Sequence, residues 1–257
     1  MKNFLSFFAV ALMTVSLSAA DKNAFSDKMT EEAIKEVCQA VSNWQIDNFG
    51  NVKHNKLGWH NGALYIGMYN WAEYGQDAKA AEFLMAIGDK HKWGLASRSY
   101  HADDICVGQM YIEMYKKHKN NKMIQPLKER AFYVASHPSD APLSKNDKVG
   151  KDTRWSWCDA LFMAPPVYAG LYTLTGEQVY KDYMMSEYKA CTDSLYDHAE
   201  SLYYRDCKRI GLQEPNGAKQ FWGRGNGWVI CAFPMILDNI GLEHPKAKEI
   251  IEIYTKT

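Results

Sequence analysis

One aspartate of this sequence stands in an unusually apolar stretch. Asp159 lies within WSWCDALFM, between Trp155 and Trp157 on one side and Leu161 and Phe162 on the other. Apolar surroundings raise the pKa of a carboxyl toward the range in which it can donate a proton at neutral pH. Asp159 is therefore a candidate catalytic acid. The alternative is a plain helix N-cap, a position that aspartate favours.

A second acidic cluster, HADDICVGQ, contains Asp103 and Asp104 side by side. We expect one of them to cap a helix while the other faces the site. Two carboxylates delivered by neighbouring helices could perform acid and base steps on a glycosidic substrate.

The segment FWGRGNGW, residues 221–228, combines two tryptophans, one arginine and three glycines. Because glycine is unfavourable inside helices, the three glycines predict a backbone of irregular conformation, which other groups can approach closely, rather than a helix interior. Trp222 and Trp228 offer flat apolar faces, and Arg224 offers donors that match a carboxylate or phosphate. A sugar acid fits this combination. The alternative is that the two tryptophans only fill a core.

Other kinds of chemistry have weaker support. His60 and His101 open helices, where a histidine is more often structural than catalytic, and neither has a partner at metal-ligand spacing. No GxSxG motif is present, and Cys158 has no identifiable base beside it. The glycines of FWGRGNGW follow no strand and lack a phosphate-loop lysine, which argues against a nucleotide site.

Cysteine usage and charge exclude further classes. The six cysteines form no CxxC pair, so we predict no metal site and no cofactor, while disulfide pairing after export is left open. Thirty basic residues balance thirty acidic ones. Proteins that bind nucleic acid or an anionic membrane usually carry an excess of positive charge, and this chain has none.

The amino terminus has the three parts of a secretory leader. Lys2 precedes an apolar run over residues 4–17, and small residues end at Ala20, where we expect cleavage. The run is too short for a confident membrane span, and the first cysteine is distant, so we predict an exported protein without a membrane anchor, periplasmic or secreted. The oligomeric state is not indicated.

One structural theme returns four times along the chain. A polar and aromatic cluster opens an apolar helix, a turn follows, and an amphipathic helix closes the unit. The clusters begin at Trp59, His101, Trp155 and Phe221. Buried inner helices that alternate with amphipathic outer ones predict an all-α fold of the (α/α)6 toroid type. Its polar clusters would converge at one mouth, where the inner helices begin.

The helix count is nine, including an amino-terminal helix near residues 30–43, whereas a six-pair toroid has twelve. We therefore expect residues 21–257 to form a single α/α-barrel domain that is incomplete at its carboxyl end. Pro165 and Pro166 lie inside the third inner helix, so Asp159 is expected on a short, bent first turn.

Three segments together, WCDALFMAPPVYAGLYTLTGE, FWGRGNGW and HADDICVGQMYIEMY, resemble the unsaturated rhamnogalacturonyl hydrolases of glycoside hydrolase family 105, relatives of the unsaturated glucuronyl hydrolases of family 88. The likeness runs from about Trp59 to the end of the chain. It implies an (α/α)6 barrel. It also implies an oligosaccharide substrate that carries, at its non-reducing end, the 4,5-unsaturated uronic acid left by polysaccharide lyases on pectin fragments.

The resemblance also implies roles for individual residues. The family's catalytic aspartate matches Asp159, which would protonate C4 of the vinyl ether and assist the attack of water on C5. A second aspartate matches Asp103, with Asp104 as the alternative. The substrate-binding positions match His60, Trp157, Trp222, Arg224 and Trp228. No metal or cofactor is implied.

One departure concerns the segment SLYYRDCK, in which Arg205 stands where some members have an active-site histidine. This difference bears on the preferred leaving sugar. Two rival functions stay open from the sequence: another α/α-toroid sugar enzyme, an epimerase or a glycosidase, and a non-catalytic exported carbohydrate-binding protein.

Overall fold

A computed structural model describes residues 27–143 and 152–257 of the chain. The leader predicted over residues 1–20 lies outside the described residues. Ten α-helical segments are present in these two ranges: α1 Glu31–Asn48, α2 Trp59–Tyr74, α3 Ala78–Lys90, α4 Gly108–His118, α5 Gln125–Ser136, α6 Ala160–Met163, α7 Pro165–Thr175, α8 Gln178–Leu195, α9 Gly223–Ile240 and α10 Ala247–Lys256. Two short strands, β1 Tyr196–Asp197 and β2 Leu202–Tyr203, form an antiparallel hairpin.

The helices alternate between an inner and an outer layer, as predicted. The inner helices pack in sequence, α2 against α4, α4 against α7, and α7 against α9. Outer helices α3, α8 and α10 pack against the inner helices that precede them, and α5 packs against α8. Counted with α6 and α7 as one broken helix, the described residues contain nine α-helices, the predicted number.

Local sequence explains where these helices start and end. Thr30 caps α1 by accepting a hydrogen bond from the amide of Ala33, so the amino-terminal helix begins as predicted and extends to Asn48. Asp77 caps α3 through the amide of Ala80. Gly176 ends α7 with φ of 72°, a left-handed conformation that glycine adopts without a steric penalty.

The third inner helix is broken rather than kinked at its two prolines. The short helix α6 ends at Met163, and α7 begins at Pro165. Proline fits the first turn of a helix because its missing amide hydrogen has no acceptor there. The break confirms the short first turn predicted beside Asp159.

The core lies between the layers, with one difference from prediction. In α4, Met110, Tyr111 and Met114 are buried as expected. Helix α9 was expected to be buried on most sides, but Cys231 and Pro234 are exposed. Within the described residues α9 packs against α6, α7, α10 and β2, and these contacts leave Cys231 and Pro234 uncovered. No helix across the two described ranges has the length and hydropathy of a membrane span.

Candidate active site

A cavity of about 190 Å³ lies where the inner helices begin. Each inner helix contributes to its lining: Trp59 starts α2, Asp103 lies in the 3-10 turn Ala102–Asp104 before α4, and Asp159 precedes α6. Trp222 and Arg224 come from the start of α9. The polar clusters therefore meet at one mouth, because the helices run side by side in the same direction.

Asp159 is buried in this cavity, with 9% of its surface exposed. It occupies the N-cap position of α6, yet its side chain makes no capping hydrogen bond. Burial, and secondarily the negative charge of Asp103, raise the pKa of the Asp159 carboxyl to about 6. Arg224 and the amides of Asp159 and Ala160 oppose this rise. The carboxyl is therefore able to hold and release a proton near neutral pH.

The two adjacent acids of the second cluster have different surroundings. Asp104 is buried and accepts hydrogen bonds from the backbone amide of Arg98 at 2.7 Å and from its guanidinium at 2.6 and 3.2 Å. Asp103 lines the cavity instead, 3.6 Å from both the Arg98 guanidinium and Nδ1 of His101. Burial raises the pKa of Asp103. The structure thus places Asp103, not Asp104, beside Asp159.

Aromatic rings and an arginine also line the cavity. The rings of Trp157 and Trp222 meet edge to face with their centroids 6.2 Å apart. The guanidinium of Arg224 lies 4.8 Å from the centre of the Trp222 ring, and within the described residues it forms no ion pair. A flat apolar face next to an unpaired cation suits a sugar ring that carries a carboxylate.

The glycine-rich segment is helical, which corrects the predicted irregular backbone. Helix α9 begins at Gly223 and includes Gly225 and Gly227. Close approach explains Gly225: a Cβ there would lie 2.7 Å from Sγ of Cys158 and closer still to the Trp222 ring. Tight packing of the helix start against the Asp159 segment, rather than an open loop, is the reason for this glycine.

Backbone hydrogen bonds connect these distant segments. The amide of Cys158 donates to the carbonyl of Arg205 at 2.9 Å, and Trp157 pairs with Asp206 as an isolated antiparallel bridge. The buried side chain of Asn226 receives the amide hydrogen bond of Tyr203 and donates to its carbonyl, at 2.8 and 3.0 Å. The start of α9, the hairpin and the Asp159 segment are therefore held as one unit.

Two predicted substrate-binding residues lie beside the cavity rather than in its lining. His60 is exposed and stacks between Trp59, at 3.7 Å, and His54, at 3.9 Å. Partial desolvation of the imidazole by its two stacked neighbours, followed by the charge of His54, lowers the pKa of His60. Trp228 packs against Phe162 with ring centroids 4.7 Å apart. The buried indole nitrogen of Trp228 has no hydrogen-bond acceptor among the described residues.

The lining also includes residues to which the sequence patterns assign no role. Arg154 and Ser156 belong to the same segment as Asp159, and Trp59 precedes His60. Arg154 binds Glu187 through Nε at 2.7 and 2.9 Å, and Glu187 is buried. The only available sequence signal was the position of Arg154 immediately before WSWCD. Across the described ranges, no three His, Cys, Asp or Glu side chains come together as a metal-ligand set.

Comparison with known proteins gives matches over most of the chain. Residues 25–257 match the model of Glycosyl Hydrolase Family 88. An unsaturated 3S-rhamnoglycuronyl hydrolase of Alteromonas sp. (strain LOR) is 31% identical over 247 residues, which cover 88% of this chain and 60% of that relative. The chain therefore spans about three fifths of the length of this curated relative.

Solved structures show the same fold. A glycosyl hydrolase family 88 protein from Bacteroides vulgatus superimposes with a TM-score of 0.72 at 22% identity, covering 86% of this chain and 66% of the other. A family 105 glycoside hydrolase from C. acetobutylicum ATCC 824 gives a TM-score of 0.64 at 18% identity, with 84% and 63% covered. At these identities the likeness concerns the fold alone, and it confirms the all-α, toroid-type architecture predicted from the sequence.

Proposed function

This chain belongs to Glycosyl Hydrolase Family 88, and we propose that it removes a 4,5-unsaturated uronic acid from the non-reducing end of lyase-generated oligosaccharides. The main support is the buried carboxyl of Asp159, because a pKa of about 6 suits a proton donor near neutral pH. The name of the Alteromonas relative supports a rhamnose-containing substrate. Pectin fragments of the rhamnogalacturonan type are one source of such a substrate.

The proposed reaction adds water across the C4=C5 double bond. Asp159 gives its proton to C4, and positive charge develops at C5, which the ring oxygen stabilises. The resulting carboxylate of Asp159 accepts a proton from a water molecule as the oxygen of that water bonds to C5. The hemiketal at C5 opens by breaking its bond to the ring oxygen, which leaves a ketone at C5 and a hemiacetal at C1. This hemiacetal collapses to an aldehyde, the bond from C1 to the glycosidic oxygen breaks, and the neighbouring sugar leaves with that oxygen as a hydroxyl. Asp159 ends the cycle protonated, as it began.

The surrounding residues support this sequence of steps. The negative charge of Asp103 favours the protonated form of Asp159 before the reaction. In this proposal Arg224 holds the carboxylate of the unsaturated sugar and the Trp222 face holds its ring, which is supported by the position of both residues in the cavity lining. Positioning of this kind converts a bimolecular encounter into an oriented reaction within one complex.

The test follows the ultraviolet absorbance of the conjugated uronate during incubation with a lyase-generated unsaturated disaccharide. Absorbance should fall, and mass spectrometry should show release of the reducing-end sugar. Asp159→Asn should reduce the rate by about 10²–10⁴-fold while the disaccharide still binds. Asp182→Asn, an exposed carboxylate on outer helix α8, is the matched control and should retain the wild-type rate. Full turnover by Asp159→Asn would contradict the proposal.

We also propose that the protein acts after export, in the periplasm or outside the cell. The support is the leader pattern of residues 1–20. Expression of the full chain in a bacterial host, followed by fractionation and amino-terminal sequencing, tests this. Export with cleavage after Ala20 is expected, and an uncleaved cytoplasmic protein would contradict it.

A further inference from the structure

The two acids of the active-site cavity belong to different inner helices, so the contact between those helices sets their separation. Asp103 lies in the turn Ala102–Asp104, which leads into α4, and Asp159 leads directly into α6. The turn packs against α6, and α4 packs against α7. A buried side chain in the first turn of α4 also joins the two elements by hydrogen bonds. This residue is Gln109, which is 3% exposed and lies six residues after Asp103.

Gln109 completes the hydrogen bonding at the end of α6. Its Nε2 donates to the carbonyl of Phe162 at 2.8 Å and to that of Met163 at 3.4 Å. In a continuous helix the carbonyl of Phe162 would accept from the amide of residue 166. That residue is Pro166, which has no amide hydrogen. Gln109 therefore supplies, from a neighbouring helix, the donor that the helix break removes.

One peptide group connects Gln109 to Asp159. The peptide between Phe162 and Met163 accepts from Gln109 at its carbonyl oxygen, and its amide donates to the carbonyl of Asp159 at 3.3 Å. The amide of Phe162 donates to the same carbonyl at 3.0 Å. On the other side of Asp159, the amide of Cys158 is held by the hairpin segment. The backbone of the proton donor is thus fixed from both directions.

A glutamine at this position is a poor choice for stability alone. Its buried Oε1 has no hydrogen-bond partner among the described residues. A buried polar atom without a partner costs free energy, whereas the apolar and similarly shaped side chain of methionine would avoid that cost. The opposite orientation of the amide would place an oxygen against two carbonyl oxygens, so the orientation with the donor toward α6 is the one that bonds. These observations indicate that the donor of Gln109 serves the site.

We propose that Gln109 is a positioning residue, which holds the proton donor Asp159 at a fixed separation from Asp103. This role rests on the proposed function, in that Asp159 is taken as the proton donor. The interaction of two carboxyl groups weakens when they move apart or when water enters between them. A looser contact between α4 and α6 would therefore reduce the influence of Asp103 on Asp159. It would also misalign the donor with the sugar, and such misplacement is costly in rate.

The first measurement is turnover of the unsaturated disaccharide by Gln109→Met, which keeps the length of the side chain and removes the donor. We expect kcat to fall about tenfold. KM should change by less than about twofold, because Trp222 and Arg224 hold the substrate from the start of α9. A residue that supported only the general fold would not separate kcat from KM in this way.

Tyr111→Phe is the matched control. Tyr111 is buried on the same helix and donates one hydrogen bond to a backbone carbonyl, that of Gly94 at 2.9 Å, in the segment that follows α3. Its loss should lower the melting temperature by a few degrees and leave kcat and KM at the wild-type values.

A second measurement does not depend on turnover. The carboxyl of Asp159 is titrated by carbon NMR, and its signal is assigned by its loss in Asp159→Asn. In Gln109→Met the pKa of Asp159 should move toward its ordinary value by roughly half a pH unit or more, since burial and the charge of Asp103 both raise it. In Tyr111→Phe it should stay at about 6. The charged and titratable groups that lie around this carboxyl are Asp103 and His101 before α4, Arg224 on α9, and Arg154 and Cys158 on its own segment.

Gln109→Glu provides a rescue by a conservative change and keeps the test valid if Gln109→Met fails to fold. Its side chain has the same length and, when protonated, retains one donor for the carbonyl of Phe162. Burial raises the pKa of such a carboxyl, so at pH 5 the variant should recover most of the wild-type kcat. The recovery should disappear as the pH rises and the new carboxyl ionises.

Two results would overturn the positioning role: Gln109→Met with the kcat and the Asp159 pKa of Tyr111→Phe, or a rise in KM at constant kcat. Wild-type turnover together with either result would leave the proposed function standing. Absence of turnover by the wild type would remove the proposed function instead. The positioning role would then be judged by the NMR titration, in which a lower Asp159 pKa in Gln109→Met alone would support it.

Discussion

Replacement of Asp159 by asparagine should make the folded protein more stable at neutral pH, although it removes the proposed proton donor. The carboxyl is 9% exposed, and burial is the main reason that its pKa rises from 3.8 to about 6. Each pH unit between these two values corresponds to ~1.4 kcal/mol. The ionised carboxylate therefore destabilises the fold by up to about 3 kcal/mol, with little relief from solvent because so little of the group is exposed.

The pH dependence of this effect has a definite sign. In the folded protein Asp159 holds its proton up to a pH of about 6, whereas in the unfolded chain it releases it near 3.8. Below a pH of about 4 the carboxyl is neutral in both states and has no electrostatic effect on stability. As the pH rises from about 4 to 6 the wild-type protein loses stability, and above 6 the loss is complete. The neutral amide of the variant avoids this loss.

The assay is thermal or urea unfolding of wild type and Asp159→Asn at pH 4.5 and 7.5. At pH 7.5 the variant should gain up to about 3 kcal/mol, or roughly 6–12 °C in melting temperature for a chain of this size. At pH 4.5 the gain should be small. A variant that is destabilised at pH 7.5, or that gains equally at both pH values, would contradict the claim that the buried, ionised carboxylate of Asp159 destabilises the fold.

Asp104→Asn provides a matched control of opposite sign. Its carboxylate is also buried, but it accepts three hydrogen bonds from Arg98. Its replacement should destabilise the protein at pH 7.5 by about 1–3 kcal/mol, since the Arg98 guanidinium loses its charged acceptor. The Arg98 side chain is half exposed, which limits the effect. The two variants make the same chemical change and differ only in surroundings.

Two further predictions concern the site. The value of kcat/KM should fall about tenfold per pH unit above a pH of about 6, as Asp159 loses its proton. Asp103→Asn should move this fall to lower pH because it removes a charge that raises the Asp159 pKa. Coinciding pH–rate profiles of wild type and variant would contradict this. Gly225→Ala should destabilise the protein by about 1–3 kcal/mol because its Cβ would overlap Trp222, whereas Gly227→Ala, with nothing within 4 Å, should stabilise α9 by roughly 0.5–1 kcal/mol. Equal melting temperatures for these two variants would contradict the close packing at Gly225.

Local patterns accounted for the helices and for the segments that carry polar groups. The apolar spacing of α4 and the disturbance of the third inner helix by its two prolines depend on residues within one or two turns of each other. The sequence therefore sufficed to predict them, although the prolines break the helix rather than kink it. The apolar neighbours of Asp159 likewise indicated a raised pKa, because they are close along the chain as well as in space.

The glycine-rich segment shows where such reasoning fails. Propensity alone disfavours a helix over residues 223–227, yet α9 begins there. Two contacts stabilise that helix start: the hydrogen bonds between Asn226 and Tyr203, and the close packing of Gly225 against Cys158. Tyr203 and Cys158 are both distant from α9 in sequence. Tertiary packing therefore outweighs a local preference of about 1 kcal/mol per glycine.

Residue types and their spacing along the chain were enough to indicate which groups could perform chemistry and that a helical repeat would bring them to one end of the fold. The choice between Asp103 and Asp104 needed the folded protein, because it depends on which carboxylate Arg98 binds. Only the tertiary structure placed Arg205 over Trp157, 48 positions earlier in the chain. Charge pairing and ring contacts act through space, and a pattern read along the chain contains no information on which distant groups will meet.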